Sequence, residues 1–148
     1  MNIVVPLKKL YEDATVPTYG STGAAGADLY AYAPQQTIRI RPHSTEKIHT
    51  GVAMSIPHGY FGGIYARSGL STREGLRPAN CVGVVDEDYT GEIIVALHND
   101  TENIKEIPHG ERIAQIVIQP YVAAAFEIAE ELENTERGAG GFGSTGTN

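Results

Sequence analysis

The sequence predicts an all-β chain, a jelly-roll-like β-sandwich or barrel with a flexible glycine-rich C-terminal arm. Apolar and polar residues alternate over many short runs, the period of a strand with one buried face. Clusters of Gly, Pro, Asn and Asp punctuate those runs at regular spacing, and no long stretch carries an apolar stripe of helical period. Together these imply about nine to eleven short strands packed as two layers.

Taken in order, the first expected strand is Ile3–Leu7, followed by a polar stretch from Lys8 to Pro17. Tyr19-Gly20-Ser21-Thr22-Gly23-Ala24-Ala25-Gly26-Ala27 has little steric bulk and leads into a strand over Asp28–Ala31. Such a segment is either a flexible loop or a place where backbone packs closely against a neighbour. Thr37–Arg41 and Gly51–Ile56 alternate as half-buried strands. Ile-Pro-His-Gly occurs twice, at Ile56–Gly59 and Ile107–Gly110, each time before a β-like run (Tyr60–Ala66 and Arg112–Gln119). Pro and Gly at these offsets suit the i+1 and i+3 positions of a type I turn. Arg67-Ser68-Gly69-Leu70-Ser71 ends the Tyr60–Ala66 strand. A guanidinium, a hydroxyl and a glycine there suit one anion, and equally a solvated arginine beside a helix cap.

Gly83-Val84-Val85-Asp86-Glu87-Asp88-Tyr89-Thr90-Gly91-Glu92 lies between the apolar pair Cys81-Val82 and the run Ile93–Leu97. It reads as a hairpin with a tight turn. Glu87, Asp88 and Thr90 suit soluble turn positions, whereas Asp86 follows an apolar triplet at the rim of a buried strand, a place that suits a further turn residue or a general base. Strands over Ile93–His98, Ile113–Ile118 and Val122–Ile128 complete the pattern. Gln115 interrupts the second of these; such an amide is either solvated or hydrogen-bonded. Beyond the acidic stretch Glu127–Glu136, Arg137–Gly146 places five glycines around one arginine and one phenylalanine. That composition fits an idle terminus or an arm that closes over a ligand. The expected division is a core over 1–136 and an arm over 137–148.

Length fits one domain that buries about 68–70% of its unfolded surface. A net charge of -7 argues against nucleic-acid or anionic-membrane binding but leaves room for a small anion held by a few arginines and a divalent cation. No apolar run approaches the ~18 residues of a membrane span, and the N-terminus lacks a basic n-region. Cys81 is the only cysteine, which excludes an internal disulfide and a cysteine zinc site and points to a reducing, cytoplasmic setting. None of the five histidines has helical ligand spacing, so they are expected on the surface.

Five stretches together resemble the motifs of the trimeric deoxyuridine triphosphate pyrophosphatases (dUTPases). They are Ala25–Ala31, Ala66–Ser71, Gly83–Glu92, Gly110–Gln115 and Arg137–Gly146, in order across nearly the whole chain. The resemblance implies a jelly-roll homotrimer that hydrolyses dUTP to dUMP and pyrophosphate at subunit interfaces. By the same carry-over, Asp86 is the general base toward a water that attacks the α-phosphorus. Tyr89 lies against the deoxyribose. Asn80 and the main chain of Gly83, Val84 and Val85 read uracil. Arg67, Ser68, Gly69 and Gln115 hold phosphates. Arg137 reaches the γ-phosphate, Phe142 covers the base, and Gly143, Ser144 and Thr145 add donors. Mg²⁺ is held mainly by phosphate oxygens and waters, with Asp28 acting through water. Val85 stands where Ile is usual and Ser71 where Ala is common; Ile94 replaces a longer side chain of the sugar site and transfers only weakly. A dCTP deaminase of the same fold is the nearest rival, but it usually carries a second serine where this chain has Gly69 and lacks Asp-x-Asp-Tyr. A nucleotide-binding regulatory trimer, the other rival, needs no acid at position 86.

Overall fold

The computed structural model describes residues 3–141. Along them run β1 (Leu7–Lys9), β2 (Thr18–Tyr19), β3 (Ala27–Tyr30), β4 (Thr37–Ile40), β5 (Thr45–Met54), β6 (Tyr60–Tyr65) and α1 (Ser68–Glu74). β7 (Leu76–Pro78), β8 (Gly83–Val85), β9 (Glu92–Asn99), β10 (Lys105–Pro108) and β11 (Arg112–Pro120) follow. The order β1-β5-β9-β7 forms one sheet and β2-β3-β11-β6-β8 the other, with β10-β4 as a separate pair. All pairings are antiparallel.

Alternation explains the layers. In β9 the side chains of Ile93, Val95 and Leu97 point inward, and in β11 those of Ile113 and Ile116 do. They meet Leu29, Ile40, Ile48 and Ile107 in one core between the sheets. β5 is longer than the alternation of Gly51–Ile56 suggests, because its first half, Thr45–Thr50, is largely polar and exposed. Between His49 and Ala53 its register against β9 shifts. Gly51 sits in that bulge at φ +71, and a Cβ there would lie 2.8 Å from Ala14 Cβ. Asn99, fully buried at the end of β9, donates to the carbonyls of Ile40, Arg41 and Asn103. Its Oδ1 accepts from the N–H and hydroxyl of Thr101, so one side chain ties three segments together.

Four expectations are corrected. The first strand is Leu7–Lys9; Ile3–Pro6 precedes it without regular structure, and β1 uses the free edge of β5. The two Ile-Pro-His-Gly turns are not type I. Their bonds run from Tyr60 N–H to Pro57 O and from Glu111 N–H to Pro108 O, which puts glycine at i+2. Gly59 and Gly110 take φ +81 and +77 there, the signature of a type II turn. Val122–Ile128 is not a strand: it has no pairing partner among the described residues, and Val122, Phe126 and Ile128 are almost wholly exposed. Finally, Gly83–Glu92 is not a hairpin. β8 pairs only with β6 and β9 only with β5 and β7, so residues 86–91 cross from one sheet to the other.

Candidate active site

That crossover makes a site. β8 is an edge strand, so the N–H and C=O groups of its outer side have no strand partner. Because β8 and β9 belong to different sheets, they splay and leave a cavity of about 230 Å³ between them. It brings together Asn80, Gly83, Val84, Val85, Tyr89 and Ile94, with Asp86 at the end of the strand. Val85 is buried and Val84 exposed, as alternation requires, so the main chain between them is what the cavity can use. The Asn80 amide Nδ2 stands 3.5 Å from where a Cβ on Gly83 would be, beside the strand's first residue.

Asp86 is exposed and also lines a second cavity of about 560 Å³, with Phe61, Val84, Glu87, Asp88 and Tyr121. Glu87, expected as a plain turn residue, is an anchor instead. It accepts from Gly59 N–H at 2.7 Å and pairs with His58 Nδ1 at 2.8 Å. The His58 ring, then the Gly59 N–H, then the Tyr121 hydroxyl hold its carboxyl below the usual carboxylate range. The same carboxylate pushes the Tyr121 hydroxyl up. The residue after Asp86 is thus pinned to the β5–β6 turn and to the point where the chain leaves the core.

The expected phosphate holders form a separate cluster. Buried Asp28 accepts from Arg67 Nε at 2.8 Å and from Arg112 Nη1 at 3.3 Å. Arg67 Nη1 donates to Arg112 O, which leaves Nη2 for a further acceptor. Gln115 donates to Ala66 O at 2.9 Å, and its Oε1 stands 2.5 Å from where a Cβ on Gly26 would be. Among the glycines of the small-residue segment, close packing is therefore confined to Gly26, while a Cβ on Gly20 or Gly23 would meet nothing. Ser68 and Gly69 open α1, whose N-cap is Arg67 without a side-chain cap bond. Sequence reading missed Arg112, which shares Asp28 with Arg67; its place within the Gly110–Gln115 stretch was the available signal.

Gly83 pairs with Ile64, near Arg67, but Asp86 at the other end of β8 lies away from it. Val85 pairs with Gly62, so Asp86 falls level with Phe61, six residues before Arg67 along β6. At ~3.3 Å per residue that is roughly 20 Å. Arg137 bonds the Gly140 carbonyl of its own turn at 2.8 Å. Phe142, Gly143, Ser144 and Thr145 lie outside the described residues.

Among the described residues no three His, Cys, Asp or Glu side chains converge as a metal cage. Asp28 gives one oxygen to each arginine, and its remaining lone pairs suit a bonded water. That donor set fits an ion carried by phosphate oxygens and waters, as Mg²⁺ prefers. No helix among these residues is long and apolar enough to cross a membrane.

An all-β sandwich with an acid at the mouth of a small, main-chain-lined cavity has the features of a nucleotide hydrolase. Residues 12–146 match the dUTPase family. The deoxyuridine 5'-triphosphate nucleotidohydrolase of Roseobacter denitrificans is 44% identical over 131 residues, 88% of this chain and 86% of that protein. The enzyme of the same name from a Hydrogenobaculum strain is 44% identical over 140 residues, 95% and 96% of the two. Among solved structures, a Staphylococcus bacteriophage 80alpha dUTPase mutant with dUpNHpp superposes with TM-score 0.87 at 29% identity, covering 99% of this chain and all of that one. A mutant dUTPase from phage phi11 of S. aureus, described with a structural Mg(II) ion, does so with TM-score 0.79 at 25% identity, covering 89% and 100%. The chain belongs to the dUTPase family.

Proposed function

We infer that the chain hydrolyses dUTP to dUMP and pyrophosphate, with Asp86 as the general base. The observation that carries this reading is the position of Asp86, at the end of an edge strand whose free main chain lines a cavity shared with Asn80 and Tyr89. Uracil lies along β8, where free N–H and C=O groups and the Asn80 amide pair with its polar edge. Tyr89 packs against the deoxyribose and excludes a 2'-hydroxyl, with Ile94 beyond it. The Asp86 carboxylate takes a proton from a water directed at the α-phosphorus. Arg67, Ser68, Gly69 and Gln115 hold the phosphates, Asp28 keeping the arginine oriented. Asp28 would hold a Mg²⁺ ion carried by the phosphates through a water, and the ion would supply charge neutralisation on the triphosphate.

Sites of this kind sit between copies of the chain in a homotrimer. Two observations support that assembly. Asp86 and Arg67 are too far apart in one chain to hold adjacent phosphates, and Val122, Phe126, Ile128 and Leu132 are exposed apolar side chains that want a partner surface. The core spans 1–136, and the arm over 137–148 closes on substrate through Arg137, Phe142, Gly143, Ser144 and Thr145. In the cytoplasm this activity removes dUTP from the pool that polymerases use and supplies dUMP. Pyrophosphate release should be measured over the four dNTPs, dUTP and UTP, with and without Mg²⁺. Release confined to dUTP and dependent on Mg²⁺ is expected; ammonia release from dCTP would point to a deaminase instead.

A further inference from the structure

Tyr89 does not stand free in its cavity. Its hydroxyl donates to the Glu92 carbonyl at 2.8 Å. Its ring closes on Gly91, where an added Cβ would lie 2.7 Å from both Cζ and the hydroxyl oxygen. Glu92 is clamped in turn. One carboxylate oxygen accepts from Gly51 N–H at 2.8 Å and the other pairs with His49 Nδ1 at 2.7 Å. Both partners lie at the β5 bulge, whose register shift frees the Gly51 N–H from the β9 ladder. The Glu92 side chain is 16% exposed, so its bond to the Gly51 N–H is partly shielded from water, while the His49 ring faces solvent. A ring on a crossover loop is thereby linked to a bulge inside the β1-β5-β9-β7 sheet.

We propose that Glu92 is a positioning residue for sugar selectivity, holding the Tyr89 ring through the hydroxyl-to-carbonyl bond where it excludes a ribose. The proposal rests on the reading of Tyr89 as the wall of the sugar site. A yielding pocket rejects an added hydroxyl only about a hundredfold, so stronger rejection needs a wall that cannot move. The loop alone does not supply that rigidity, because residues 86–91 have no ladder bonds. The tether does, since its carbonyl belongs to the residue whose side chain is fixed at both oxygens. Gly91 completes the arrangement by letting the ring lie flat on the backbone.

The test is the ratio of kcat/KM for dUTP over UTP in Tyr89→Phe, Glu92→Ala, Glu92→Gln and the Tyr89→Phe/Glu92→Ala double variant. Tyr89→Phe keeps the ring and removes the tether, and the ratio is expected to fall about tenfold or more. Glu92→Ala should fall by a similar factor, mainly through a gain on UTP. It should add little in the Tyr89→Phe background, because Glu92→Ala keeps the main-chain carbonyl and acts only by loosening a residue that the substituted ring no longer bonds. Glu92→Gln, which still accepts from Gly51, should keep most of the parent ratio. An unchanged ratio in Tyr89→Phe overturns the proposal even if Glu92→Ala does not fold. So does an equal loss on both substrates in Glu92→Ala, or full additivity in the double variant. Tyr89→Ala separates the two levels: an unchanged ratio there removes the sugar-wall reading itself, whereas a collapsed one beside an intact Tyr89→Phe removes only the tether.

Discussion

Asp86 and Glu87 are adjacent carboxylates with opposite circumstances. Asp86 faces two cavities, while Glu87 is bonded to His58, Gly59 and Tyr121. Replacing Asp86 by Asn should leave dUTP binding nearly intact and lower kcat by roughly 10²–10⁴-fold, the range of a general base, as isothermal titration and pyrophosphate release would show. Turnover at the parent rate would remove Asp86 from that role. For Glu87 the sign of the pH effect is fixed by its lowered pKa. Its bonds contribute stability that is fully present above the ordinary carboxylate pKa of about 4.3 and is lost as pH falls through the lower folded value. Denaturant midpoints of Glu87→Gln should therefore trail the parent at neutral pH and converge with it in acid; a gap that widens on acidification would contradict the assignment. In the sequence Asp86 is singled out by its place after an apolar triplet and Tyr89 by the resemblance, and both line the small cavity. Glu87 and Glu92 were not legible there, because what marks them is a main-chain N–H 28 and 41 residues away.

Alternation in a strand reports which face is buried, and says nothing of what lies beside it. β9 and β11 were readable from their apolar period for that reason, yet β8 and β9 looked like one hairpin although they belong to different sheets. The same limit explains Val122–Ile128, whose period is that of a strand but which pairs with nothing among the described residues. If that segment is covered by another copy, Phe126→Glu should shift sedimentation toward smaller species at concentrations where the parent is assembled. Burial of such a side chain contributes about 1.5–3 kcal/mol. An unchanged distribution would place its contact elsewhere. Turn chemistry misled in a narrower way: the Pro and Gly of Ile-Pro-His-Gly were visible, but the hydrogen bond starts at the proline, which moves glycine to i+2. Asn99, which no pattern flagged, ties β9 to the segments after β4 and before β10. Asn99→Ala strands several buried carbonyls, and urea unfolding should report a loss of about 2–3 kcal/mol; a loss within the scatter of surface substitutions would show that the carbonyls find other donors.

At the scale of the whole molecule, the proposed base and the proposed phosphate holders stand in different places along β6. Asp86 follows β8 level with Phe61, near the start of β6, and the paired Asp28, Arg67 and Arg112 lie beyond its other end. Charge follows the same division: a chain of net -7 binds a polyanion only where arginines are gathered, and the acids at positions 86–88 stand apart from them. On the proposed reading, a complete site needs more than one copy of the chain. The most direct test mixes two variants, Asp86→Asn and Arg67→Ala, each expected to be nearly inactive alone. After the two are unfolded and refolded together, dUTP-dependent pyrophosphate release should reappear, because some sites then combine an intact Asp86 from one copy with an intact Arg67 from another. Co-assembled variants that stay as inactive as either alone would show that both groups act within one chain and would contradict the account.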